Sequence, residues 1–83
     1  MFKVWNPDDG DEENAVFYDP DVFVGHPQWA AEAFARNRDW EFGSGPSEIQ
    51  TIFVRWSKDS VKEYIVRSKD YKGRVFYYAE EQS

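Results

Sequence analysis

One segment of the chain has a helical pattern, and strand-forming runs lie on both sides of it. The segment from Pro27 to about Trp40 begins with proline, which suits the first helical position, and continues with an alanine-rich run. Five residues recur at helical spacing and predict one stripe that faces a core: Trp29, Ala30, Ala33, Phe34 and Asn37. A single amphipathic helix needs a second layer to cover this stripe, and a sheet is the simplest one.

The remaining apolar runs alternate and are rich in residues that favour strands. They predict strands at Phe2–Trp5, Ala15–Tyr18, Ile49–Trp56, Val61–Ser68 and Arg74–Ala79. Val22–Val24 is a candidate for one further strand, and the segment Gly43–Pro46 is predicted to be a linker. The predicted fold is therefore α+β, with one helix packed on an antiparallel sheet of about four to five strands in the order β(β)αβββ. Residues 1–83 form a single small domain, and residues 80–83 are expected to be a frayed tail.

Alternation places apolar side chains on both faces of the predicted sheet. Ile52, Val54 and Trp56 fall on one face and Phe53 on the other, while Tyr64 and Val66 oppose Ile65. One helix can cover only one face, so the other face is expected to be open.

The aromatic content also predicts exposed apolar surface. The chain has four Trp, five Tyr and seven Phe in 83 residues, which is more than one helix on a sheet of this size needs for its core. Trp29 and Trp56 fit core positions, whereas Trp5 and Trp40 lie near element ends and are candidate anchors for a partner.

Charge and composition narrow the classes of function. The net charge is −6, and residues 1–35 hold one base against eight acids, which disfavours direct binding of nucleic acid. The chain has no Cys, which excludes a disulfide framework and a thiolate metal site. It shows neither a signal peptide nor an apolar run of membrane-spanning length, so a cytoplasmic location without membrane partners is expected.

Five carboxylates lie within six residues: Asp8, Asp9, Asp11, Glu12 and Glu13. A metal site, an imitation of a phosphate backbone and a solvated loop are the three interpretations. A calcium loop needs alternating oxygen ligands with Gly at position six, and here Gly10 comes too early. We expect a solvated loop, which would also steer a basic partner toward the protein.

No motif of the sequence points to catalysis. His26 is the sole histidine, and no nucleophile or orienting carboxylate is marked near it. The segment Gly43–Pro46 lacks the Lys and Ser or Thr of a phosphate-binding loop. The sequence therefore predicts no catalytic, cofactor-binding or metal-binding residue, and a protein that is not an enzyme.

The last three strands contain bases interleaved with aromatic residues, as single-strand binding sheets do. The bases are Arg55, Lys58, Lys62, Arg67, Lys69, Lys72 and Arg74. Acids such as Asp59, Glu63 and Asp70 are mixed among them, which favours an ordinary surface of mixed charge. Binding of nucleic acid remains the alternative function.

Short motifs also carry a resemblance across most of the chain. The opening Lys3-Val4-Trp5-Asn6-Pro7-Asp8, the helical Ala30-Ala31-Glu32 and the closing Tyr77-Tyr78-Ala79 resemble a loose group of small proteins encoded by phages and prophages. The resemblance implies a phage context and no site residues.

Together these features favour a non-enzymatic phage or mobile-element protein that binds and inhibits a host protein with a basic surface, in an anti-CRISPR or anti-restriction type of role. A structural homodimer is a further alternative. The candidate protein-binding residues are Trp5, Asp8, Asp9, Asp11, Glu12, Glu13, Trp40, Tyr71 and Tyr77.

Overall fold

The computed structural model describes residues 1–19, 21–23, 25–43 and 49–82, the side chain of Phe42 excepted. The strands are β1 (Phe2–Trp5), β2 (Val16–Tyr18), β3 (Ile49–Ser57), β4 (Ser60–Tyr71) and β5 (Arg74–Gln82). Helix α1 spans Pro27–Phe42, and a short 3₁₀ helix, Glu12–Asn14, lies between β1 and β2. The predicted α+β class is confirmed. The predicted linker beyond Gly43, and Val24 of the suggested extra strand, lie outside the described residues. The suggestion of a strand is wrong for Val22 and Phe23, which lie in a turn.

The five strands form one antiparallel sheet in the order β2-β1-β3-β4-β5. The first hairpin pairs Val4 with Val16, and β3 then enters on the other side of β1, with Val54 opposite Val4. Strands β3, β4 and β5 follow as a meander of consecutive hairpins. The edges of the sheet are therefore the three-residue β2 and the nine-residue β5.

Helix α1 covers one face of this sheet, and the core lies between them. The buried sheet residues are Phe2, Val4, Ile52, Val54, Tyr64 and Val66, and the buried helix residues of the core are Ala30, Ala31 and Ala35. Side chains without bulk on the helix allow its backbone to approach the sheet closely. Alanines thus provide the helix side of the core, and the sheet provides the large side chains.

The buried stripe of α1 differs from the predicted one. Ala30 is buried as expected and Phe34 packs against the core, but Trp29 is 43% exposed and Asn37 is also exposed. The stripe instead follows Ala31, Ala35 and Asp39 at intervals of four residues. The prediction of Trp29 as a core residue is wrong, because the helix turns its small residues toward the sheet and its bulky ring away.

The β4–β5 hairpin is longer than the alternating pattern indicated. Its turn contains only Lys72 and Gly73, whose φ angles of 52° and 82° fit the tight turn that matches the twist of a hairpin. Residues 80–82, expected to fray, pair with residues 63–65 instead. No helix formed by the described residues has the combination of length and apolarity that crossing a membrane requires.

Candidate functional site

The face of the sheet opposite α1, here called the open face, is the candidate binding surface. Cross-strand pairing places on it the residues that alternate with the buried ones, such as Phe53 between Ile52 and Val54. Its apolar members are Trp5, Phe17, Phe53, Val61, Ile65, Tyr71, Phe76 and Tyr78. Each of these side chains is at least partly accessible to solvent, and none is buried.

Aromatic rings lie near both ends of the open face. Near one end the rings of Trp5 and Phe53 stack, with 5.5 Å between their centroids. At the other end Tyr71, Phe76 and Tyr78 lie around a shallow cleft on the β4–β5 hairpin that Lys69 also lines. All three rings of this hairpin are exposed, and Tyr71 is 58% exposed. The expectation that some aromatic rings are exposed is confirmed.

The hairpin end of the open face is also basic. Residues 67–78 contain Arg67, Lys69, Lys72 and Arg74 against the single acid Asp70. Register puts Lys69 directly opposite Phe76, and Arg67 opposite Tyr78. The Nζ atom of Lys72 lies 5.4 Å from the centroid of the Tyr71 ring, a cation–π distance. Rings and cations thus share one exposed surface.

The acidic segment is folded by local bonds rather than extended into solvent. Buried Asn6 accepts hydrogen bonds from the backbone N–H groups of Asp8 (2.8 Å, to Oδ1) and Asp9 (2.9 Å, to the carbonyl oxygen). Gly10 has a φ of 143°, and an added Cβ would lie 2.7 Å from Nδ2 of Asn14. The turn therefore requires glycine at this position.

Two carboxylates of the segment form ion pairs with the body of the protein. Asp9 accepts two hydrogen bonds from Arg38 of α1, at 2.5 and 2.8 Å. Glu12 accepts two from Arg55 of β3, at 2.7 and 3.0 Å, and lies 3.6 Å from Nζ of Lys3. The expected solvated loop is therefore correct only for Asp8, Asp11 and Glu13, which are exposed.

These ion pairs shift the titration of their members. The hydrogen bond from Arg55 holds the pKa of Glu12 below its usual value, against the smaller opposing effect of burial. The same bond raises the pKa of Arg55, and the bond to Asp9 raises that of Arg38. A bidentate arginine–carboxylate pair fixes the relative orientation of the two side chains and also neutralises their charges. The two pairs therefore hold the acidic segment against both α1 and the sheet.

A cleft of about 380 Å³ lies between the acidic segment and the second half of α1. Its lining includes Trp5, Asp9, Asn14, Phe34 and Arg38. Asp9 and Arg38 of this lining bind each other, which joins the acidic segment to α1. Asp11 and Glu41 add two further carboxylates to the lining.

A polar network lies under the C-terminal half of α1. Buried Asp39 accepts hydrogen bonds from Nε2 of Gln50 (3.0 Å) and from the hydroxyl of Tyr77 (2.7 Å), and Gln50 also donates to the carbonyl oxygen of Ala35 (3.2 Å). Burial, together with the bond to Asp39, raises the pKa of Tyr77 to about 12. The network ties α1 to β3 and β5.

The structure separates the predicted binding residues into four groups. Trp5 and Tyr71 lie on the open face, and the acidic residues lie beside β1 and β2. Trp40 stands apart on α1 and is 84% exposed. Tyr77 points toward α1, where its hydroxyl binds Asp39.

Three exposed rings of the open face were not singled out by the sequence: Phe17, Phe76 and Tyr78. The available signal was the alternation within β5, where Phe76 and Tyr78 bracket Tyr77. Which of these alternating rings lie on the open face depends on the pairing register between β5 and β4. The sequence alone does not provide that register.

The described residues contain no group of three or more His, Asp or Glu side chains arranged to hold a metal ion. Comparisons of the chain with known protein families, with curated proteins and with solved structures found no match.

Proposed function

We propose that the protein is a non-enzymatic binding module that captures another protein through the open face of its sheet. The observation that carries the proposal is a set of accessible rings on the face that α1 does not cover: Trp5, Phe17, Phe53, Tyr71, Phe76 and Tyr78. Accessible apolar side chains concentrated on one face mark interaction sites in monomeric proteins.

The open face has the features that protein partners use. Its rings project from paired strands, so little conformational freedom remains to be lost on binding. Tyr and Trp concentrate the binding energy at the centres of protein interfaces, and Arg residues commonly accompany them. The stacked pair of Trp5 and Phe53 provides a rigid apolar surface near one end, and the hairpin residues Tyr71 and Tyr78 provide amphipathic rings at the other.

The acidic segment lies next to this face and supports a partner with a basic surface. Asp8, Asp11 and Glu13 are exposed beside the first hairpin, and the chain as a whole carries a net charge of −6. Charges at the rim of an interface accelerate association more than they add affinity. Binding of the partner is therefore expected to slow as salt concentration rises.

The resemblance to small phage and prophage proteins supports a host protein as the partner. Occupying a host defence or regulatory protein needs a surface and no catalytic group. This suits a chain whose prominent features are exposed rings and paired charges. The proposed role is thus inhibition of a host protein in the host cytoplasm, of an anti-CRISPR or anti-restriction type.

Affinity capture with paired variants tests the proposal. The parent chain, the double variant Phe76→Ser/Tyr78→Ser and the control Trp40→Ser are immobilised and exposed to bacterial host lysate. Both altered surfaces are exposed, so circular dichroism should show all three chains folded. We expect a stoichiometric partner to be retained by the parent and by Trp40→Ser and lost by the double variant. A partner lost only with Trp40→Ser would place the binding surface on α1 instead.

One observation favours a second candidate function. The basic and aromatic hairpin end, with Lys69 opposite Phe76 and Arg67 opposite Tyr78, combines the features by which sheets bind single-stranded nucleic acid. Titration with fluorescent single-stranded oligonucleotides at low salt checks this alternative. Binding that weakens with salt and with Lys69→Glu would support it, and the absence of binding at low salt would eliminate it.

A further inference from the structure

The outer edge of β5 has backbone groups that no neighbouring strand of the sheet pairs with. The two-residue turn makes Tyr71 and Arg74 the closing hydrogen-bonded pair of the β4–β5 hairpin, and bonded and non-bonded pairs alternate from there. Val75, Tyr77 and Ala79 therefore direct their N–H and C=O groups away from β4. The N–H of Ala79 confirms this phase, because it donates to Oε2 of Glu32 on α1 at 2.9 Å.

This edge has few of the features that keep natural edge strands apart. Proteins protect exposed edges with short strands, proline, bulges or charges that point inward. Strand β5 has nine residues and no proline, and its register with β4 is continuous from Arg74 to Gln82. By contrast, β2 at the other edge has three residues. Glu32 is the one side chain seen to occupy an outward backbone group of β5 within the described residues.

We propose that the β5 edge pairs with the β5 edge of a second copy of this chain, antiparallel, about a twofold axis at Tyr77. In this register the two Tyr77 residues exchange both backbone hydrogen bonds, and Val75 lies opposite Ala79 of the partner subunit. This pairing is possible because Val75, Tyr77 and Ala79 all direct their backbone N–H and C=O groups away from β4.

Charge and ring complementarity select this register. With the axis at Tyr77, Arg74 lies opposite Glu80 of the partner subunit and Phe76 opposite Tyr78 of the partner subunit. All of these side chains lie on the open face and are exposed in the single chain. Moving the axis to Tyr78 instead places Phe76 opposite the partner's Glu80, and the charge pair is lost. Opposite charges and aromatic pairs across strands stabilise a sheet.

Glu32 limits the strength of this contact. In the dimer the N–H of Ala79 would donate to Val75 of the partner subunit, and Glu32 holds that N–H in the single chain. The carboxylate therefore competes with the second copy at two symmetric positions. Removing it leaves the N–H without a partner at an exposed edge and favours pairing of the strands.

The dimer would join the two sheets into one and bring Phe76 and Tyr78 of both copies to the middle of a doubled open face. This inference does not rest on the proposed function, because it concerns the edge of the sheet and is tested with the purified chain alone. Loss of partner capture from lysate and absence of the dimer are separate results.

Sedimentation velocity across a wide concentration range tests the proposal. We expect a monomer–dimer equilibrium for the parent chain and about tenfold tighter association for Glu32→Ala, from the loss of competing hydrogen bonds. A chain that remains monomeric at all concentrations, in both forms, would overturn the proposal.

Charge exchange tests the register. Arg74→Glu and Glu80→Arg should each weaken association by about tenfold, since like charges then face each other across the axis. The double variant Arg74→Glu/Glu80→Arg should restore association close to that of the parent. Lys58→Glu, at an exposed turn away from β5, controls for net charge. A dimer that shows no such restoration would refute the pairing at Tyr77.

Discussion

Two adjacent tyrosines of β5 allow a matched test of how α1 is attached to the sheet. The hydroxyl of Tyr77 donates to buried Asp39 at 2.7 Å, whereas Tyr78 lies on the open face, 48% exposed. We predict that Tyr77→Phe destabilises the protein and that Tyr78→Phe does not. Both changes remove one hydroxyl and keep the ring, so the difference isolates the hydrogen bond.

The magnitude follows from the charge and burial of the acceptor. A hydrogen bond to a charged group contributes about 1.5–3 kcal/mol, and its loss leaves Asp39 with one partner fewer in a buried site. In a domain of this size each kcal/mol lowers Tm by about 4–8 °C. Tyr77→Phe should therefore lower Tm by about 6–24 °C, and Tyr78→Phe by less than about 3 °C.

Thermal unfolding followed by circular dichroism measures the difference, and absorbance titration of tyrosinate gives a second readout. Because burial and Asp39 raise the pKa of Tyr77 to about 12, its stabilising contribution is complete below pH 10 and decreases as pH rises toward 12. Tyr77→Phe should remove one late-titrating group, which Tyr78→Phe retains. Equal and small effects of both changes on Tm would refute the argument.

The other predictions concern the core and the acidic segment. Ile52→Ala should lower the free energy of unfolding, measured with denaturant, by about 2–5 kcal/mol, because Ile52 is fully buried. Ile49→Ala, on the same strand and 55% exposed, should lower it by less than about 1 kcal/mol. Gly10→Ala should destabilise the segment, since its φ of 143° disfavours any side chain; unchanged unfolding and unchanged amide shifts would contradict this. The lowered pKa of Glu12 means that its pairing with Arg55 stabilises the protein above the ordinary glutamate pKa and is lost as pH falls through the lowered value; an NMR titration of its carboxyl carbon should show the low value, and Arg55→Gln should raise it.

The fold was largely predictable because local signals agreed with one another. Two local features of α1, the proline at its start and its alanine content, are enough to predict the helix. The alternation of apolar residues likewise predicts β3 and β4 without knowledge of tertiary contacts. The phase of the helix was the exception. The spacing of Trp29 was compatible with a core position, but close packing of the helix on the sheet favoured Ala31 and Ala35.

The candidate site was predictable in kind and less so in its residues. The high aromatic content, and the apolar residues on both faces of the predicted strands, indicated that one face of the sheet is uncovered. No local pattern indicates that Glu12 binds Arg55, a residue 43 positions along the chain, or that Tyr77 turns toward Asp39. Such pairs depend on strand register and on the placement of α1, which long-range packing determines.

Hydroxyl-radical footprinting of the chain, alone and in complex with its captured partner, shows directly whether the open face is the binding surface. We predict that Phe17, Tyr71, Phe76 and Tyr78 are oxidised readily in the single chain and protected in the complex. Trp40, at 84% exposure, should react equally in both and serves as the internal reference. Protection confined to Trp40, with the rings of the open face still reactive in the complex, would show that the partner binds α1 and not the open face.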